Sequence, residues 1–101
     1  MQTKVEQENG KVVVKLSGRF DFNSHREFRA AYEELLGRGD TREFVVDLGG
    51  VDYLDSSALG MLLLLRDKVG AENKSVALAN CKGNVRQVLD IANFGKLFKI
   101  S

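Results

Sequence analysis

The sequence predicts an α/β protein: a mixed β-sheet of about four to five strands with about three packed α-helices. Three observations predict it. Asn9-Gly10 sits between two strand-like runs, an apolar helical stripe follows, and from Phe44 onward strand-like and helix-like segments alternate. Asn-Gly readily supplies the two positive φ angles of a tight hairpin turn. Lys4 to Glu8 and Lys11 to Ser17 are therefore read as an antiparallel pair. In the second run Val12, Val14 and Leu16 alternate with Val13, Lys15 and Ser17, so one face is core. Ser24 and Glu27 have capping-box spacing. They predict a helix whose apolar positions Phe28, Ala31, Tyr32, Leu35 and Leu36 recur at helical spacing, with Gly37 and Gly39 to end it.

Phe44 to Leu48 is apolar apart from Asp47 and reads as a central parallel strand covered on both faces, broken by Gly49-Gly50. After a short approach from Val51 to Leu54, Asp55 or Ser56 suits the start of a helix running to about Val69. Its residues Ala58, Leu59, Met61 and Leu62 to Leu65 wrap most of the circumference, more than one sheet hides. A further strand, Ser75 to Ala79, precedes a helix marked by Val85, Val88, Leu89 and Ala92. Phe94, Leu97, Phe98 and Ile100 form an apolar tail expected to pack back on the core.

The 101 residues include no proline and read as a single domain spanning 1–101. Fifteen basic residues against 14 acidic leave a net charge of +1, which argues against nucleic acid as a partner. The lone Cys81 makes neither an internal disulfide nor a multi-cysteine metal site. No cofactor or metal is expected. The polar start has no apolar signal core, and the apolar run Ala58 to Leu65 is shorter than the roughly 20 residues that cross a bilayer, so a cytoplasmic protein without membrane attachment is expected. Small size and the lack of a long apolar edge argue for a monomer when free.

Chemistry concentrates at Tyr53-Leu54-Asp55-Ser56-Ser57-Ala58-Leu59-Gly60, where a loop enters a helix N-terminus with its free N–H groups and positive dipole end. Ordinary capping accounts for one Ser or Asp there. The second serine is redundant for it, and small Ala58 and Gly60 would let another surface approach. Asp52 and Tyr53 could rim such a surface, although Tyr53 suits the core equally. Asp21 could line it too, or cap the helix that begins near Ser24. His25 reads as a solvated side chain, Cys81 as a small buried hydrophobe. Arg38-Gly39-Asp40 and Asn73-Lys74-Ser75 match adhesion and glycosylation patterns only formally. An enzyme using Ser56 as nucleophile would need a base, for which only His25 or a carboxylate offers itself. A non-enzyme is expected.

Gly18-Arg19-Phe20-Asp21 and Asp55-Ser56-Ser57-Ala58-Leu59-Gly60, in this strand and helix order, resemble the STAS domain family, and more narrowly the stand-alone bacterial anti-sigma-factor antagonists. Ala58 replaces a frequent glycine and Phe20 a frequent leucine of that pattern. The resemblance implies a STAS-like fold and a phosphorylation-controlled partner switch. The unphosphorylated form would bind an anti-sigma factor that is also a serine protein kinase. Phosphorylation of the first serine of the motif, Ser56, with Ser57 the lesser candidate, would release it, and a PP2C-type serine phosphatase would restore it. The docking face so implied comprises Asp21, Asp55, Ser56, Ser57, Ala58, Gly60 and Met61. The alternative is a non-switching STAS subunit of a larger, for example transport-associated, complex.

Overall fold

The computed structural model describes residues 1–101. Strands β1 (Gln2–Glu8), β2 (Lys11–Phe20), β3 (Glu43–Leu54), β4 (Ser75–Ala79) and β5 (Lys99–Ile100) form one five-stranded sheet in that spatial order. β1 and β2 are antiparallel, and β2 through β5 are parallel. Helices α1 (His25–Glu33), α2 (Ser56–Ala71) and α3 (Gly83–Ile91) connect the parallel strands. The mixed α/β sheet with three helices is the predicted class. Asn9 at φ 47° and Gly10 at φ 81° make the expected tight hairpin turn.

Paired residues of neighbouring strands share a face. On one face Val12, Val14 and Leu16 join Phe44, Val46, Leu48 and Leu78 in a 22-residue core that also takes buried side chains from all three helices. Phe20, Phe28 and Tyr32 pack along its α1 side in tilted and edge-to-face pairs with ring centroids 5.1 and 5.2 Å apart. On the opposite face Val13, Val45 and Ala77 stand in one row across the sheet. Val45 is buried yet lies outside the core cluster. β3 is thus not covered by helices on both faces; cross-strand neighbours shield Val45 instead.

Several local expectations need correction. Gly49-Gly50 does not end a strand, because β3 runs through it to Leu54. A Cβ on Gly50 would lie 2.8 Å from that of Ser17, so the glycine permits the irregular pairing of β2 with β3 there. β2 in turn continues past Ser17 to Phe20. α1 stops at Glu33; Leu35 and Leu36 pack on the core from the turns beyond it, where the Lys74 ammonium donates to the Leu36 and Arg38 carbonyls at 2.6 and 2.7 Å. The capping box belongs not to Ser24 and Glu27 but to Asp21 and Ser24, around a 3-10 turn over Phe22–Ser24. Of the apolar tail, Phe94, Phe98 and Ile100 pack back as expected, Leu97 stays exposed, and the tail also supplies β5.

α2 hides more of its apolar surface than expected. Ala58, Met61, Leu62, Leu65 and Val69 are buried, Leu59 and Leu63 pack against the core from its margin, and only Leu64 is substantially exposed. The helix lies deep enough in the core to absorb what a flat contact would leave uncovered.

Cys81 is buried, and burial pushes its thiol from an ordinary 9.0 up to about 11. Within that window the unfolded chain releases the proton while the folded chain keeps it, so folding stability falls as pH rises from about 9 toward 11. Urea midpoints at pH 8 and pH 10 should show a smaller alkaline loss in Cys81→Ala than in wild type. Equal losses would mean that other groups carry it.

Candidate functional site

The site forms where two parallel strands end side by side. Phe20 pairs with Leu54, and the next residues, Asp21 and Asp55, leave the sheet together, with the Asp55 N–H reaching the Phe20 carbonyl at 3.4 Å. Asp21 turns into the short 3-10 segment, which packs beside the start of α2. Each aspartate caps the helical segment that begins after it. Asp21 accepts from the Asn23 N–H at 3.0 Å, while the Ser24 hydroxyl accepts from the Asp21 N–H at 3.3 Å and donates to the Arg19 carbonyl at 2.8 Å. Asp55, extended at φ −114° and ψ −175°, accepts from the Ala58 N–H at 3.0 Å.

That last bond decides the role of the serine pair. Asp55 holds the cap, so neither Ser56 nor Ser57 does. Ser56 is exposed in the first turn of α2, Ser57 is half-buried, and Gly60 is exposed one turn on with open space where a Cβ would be. Replacing Asp55 with Ala should cost about 1 kcal/mol of folding stability by urea denaturation, whereas Asp55→Ser should recover most of it. An unchanged midpoint in Asp55→Ala would show that the cap contributes nothing.

Two residues of the implied docking face are in the core instead. Ala58 is fully buried and Met61 nearly so, because both lie on the stripe of α2 turned to the sheet. They set the depth of the helix, not its outer surface. Asp21 is mostly shielded, with its carboxylate 3.0 Å from the Arg19 guanidinium. That guanidinium lies 3.8 Å above the Tyr53 ring, which makes Tyr53 a rim residue rather than a core residue. Asp52 is exposed, and its carbonyl accepts from the Asn84 side chain at 3.4 Å, which ties the rim to α3.

Sequence reasoning missed Phe22, which projects from the 3-10 turn at 73% exposure. Its signal was an aromatic outside the periodicity of α1, between two turn-forming residues. The junction thus offers a free hydroxyl at a helix N-terminus, a carboxylate beside it and an exposed aromatic at its edge. No group of His, Cys, Asp and Glu is placed to hold a metal ion. No helix is long and apolar enough to cross a membrane.

A serine-bearing helix start at the end of a central parallel strand, on a mixed sheet whose helices share one core, defines a class of small α/β proteins. The profile of the family described as "Mlab, STAS domain" matches residues 3–99, and the chain belongs to the STAS domain family. It is 54% identical to a STAS-domain containing protein of Pseudomonas aeruginosa (strain UCBPP-PA14) over 90 residues, 89% of this chain and 87% of that one. It is 25% identical over 100 residues to the anti-sigma F factor antagonist of Paenibacillus polymyxa, covering 99% of this chain and 86% of the relative. The fold is also that of the anti-sigma factor antagonist SpoIIAA in its unphosphorylated form, with TM-score 0.77 at 20% identity over 99% of this chain and 87% of that one. Against SpoIIAA of Bacillus in the phosphorylated form the TM-score is 0.75 at 20% identity, covering 99% and 91%.

Proposed function

We propose that this chain is an anti-sigma-factor antagonist acting as a phosphorylation-controlled partner switch. Its unphosphorylated form docks on an anti-sigma factor that is also a serine protein kinase. Phosphorylation of Ser56 breaks that contact, and a PP2C-type serine phosphatase restores it. The chain serves as a binding module in the cytoplasm, not as an enzyme. One observation supports the reading most: Asp55 caps α2, which leaves the exposed Ser56 hydroxyl free for another protein.

The proposed docking surface is centred on Asp55, Ser56, Ser57 and Gly60, with Asp21 and Tyr53 at its rim. Phe22 is its apolar anchor, since exposed aromatics that become buried carry much of the energy of protein contacts. Likeness to anti-sigma factor antagonists, by sequence and by fold, supports the same class of role.

A pull-down from native lysate with wild-type, Ser56→Ala, Ser56→Asp and Phe22→Ala baits tests it, with mass spectrometry of the bound proteins and of the phosphosite. A kinase-like protein retained by wild type and Ser56→Ala, lost by Ser56→Asp and weakened by Phe22→Ala is the expected result. One complex recovered on all four baits, without phosphate on Ser56, would instead make the chain a permanent subunit of a larger assembly.

A further inference from the structure

We infer that the free edge of β1 pairs with β1 of a second copy of this chain, joining two five-stranded sheets into one continuous sheet. β1 is an outer strand of the sheet, and all seven of its residues are exposed. Edge strands usually carry a proline, a bulge or an unmatched charge that blocks further pairing. β1 has no proline, and its register with β2 runs unbroken from Gln2↔Ser17 to Glu8↔Lys11; its remaining guard is charge, Lys4, Glu6 and Glu8, which blocks pairing only where like charges meet.

The hairpin settles which backbone groups face outward. A two-residue turn is closed by a hydrogen-bonded pair, here Glu8 and Lys11, and bonded pairs then alternate along an antiparallel ladder. Gln2, Lys4, Glu6 and Glu8 spend their N–H and C=O groups on β2. Thr3, Val5 and Gln7 therefore present theirs to the open edge.

Charge then selects one register. In an antiparallel pairing of β1 with itself that uses these outward groups, centring on Lys4 would oppose lysine to lysine, and centring on Glu6 glutamate to glutamate. Centring on Val5 sets Lys4 opposite Glu6 of the second copy, Glu6 opposite its Lys4, and Thr3 opposite its Gln7. This register makes about six backbone hydrogen bonds and matches both charges around the two-fold axis. The proposal departs from the monomer expected from the lack of an apolar edge, because backbone and charge, not apolar side chains, would make this contact. The inference does not depend on the partner switch.

Sedimentation equilibrium of the full chain from micromolar to millimolar concentration tests it. Wild type should dimerise. Val5→Pro removes only an outward N–H and should abolish association while circular dichroism stays native. Lys4→Glu opposes two glutamates across the axis and should weaken association on the order of tenfold. It keeps the Lys15–Glu6 ion pair at 3.1 Å, relieves Lys4 facing Lys15 within the hairpin and loses only the exposed Lys4–Glu6 contact at 4.0 Å, so it should cost the fold little. The swap Lys4→Glu with Glu6→Lys restores complementarity and should recover the dimer. A wild type that stays monomeric at millimolar concentration overturns the inference. So does association that Lys4→Glu leaves unchanged or that the swap fails to recover.

Discussion

Ser56→Asp is expected to leave the fold intact and to weaken binding to the proposed partner by roughly a thousandfold, a change of about 4 kcal/mol. The two halves of this outcome have separate causes. Ser56 is exposed and is not the cap of α2, so a charge there disturbs no internal bond. At the helix N-terminus negative charge gains roughly 0.3–1 kcal/mol from the dipole, and the neighbouring Asp55 opposes it. These terms nearly cancel within the free protein. In a contact they do not, because burying an unpaired negative charge costs several kcal/mol, for the single charge of Asp as for the roughly −1.5 to −2 of a phosphate. Isothermal titration of both forms with the captured partner, beside circular dichroism, measures both halves. An unfolded Ser56→Asp, or one that binds as tightly as wild type, would sink the mechanism.

Leu62→Ala should give the largest loss of stability, about 2–5 kcal/mol. Leu62 is fully buried where α2 meets the sheet, and the rigid strands around it cannot close the cavity that a deleted isobutyl group leaves. For a domain this size each kcal/mol lowers Tm by roughly 4–8 °C, so a fall of at least about 8 °C, and up to about 40 °C, is expected by thermal circular dichroism. Leu64→Ala, two residues on, is the control. Its side chain is 42% exposed, and its loss should stay within about 0.5 kcal/mol. Equal losses at the two positions would mean that α2 is not seated as described.

The contrast between Leu62 and Leu64 shows where sequence reading stops. The run Leu62 to Leu65 announces a buried helix. Periodicity does not say how deep it sits when nearly every position is apolar. Local chemistry, by comparison, was legible. Asn9-Gly10 makes its hairpin turn, and the alternation of Val12, Val14 and Leu16 places their face in the core, because each depends only on residues close by in the chain; which residue caps a helix start was less legible where several cap formers stand together, as at Asp21 to Ser24 and Asp55 to Ser57.

The α/β class, the order of the elements and the serine-bearing helix start are all written in short-range spacing along the chain. Three other features came only from long-range packing. β3 runs through Gly49-Gly50, because the close approach of Ser17 comes from a strand far off in sequence. Asp21 stands beside Asp55 and Arg19 over Tyr53, since parallel pairing of β2 with β3 sets which chain ends meet. Ala58 and Met61 are inside and Phe22 is out, because burial is settled by which neighbours arrive, and those neighbours are remote in the chain.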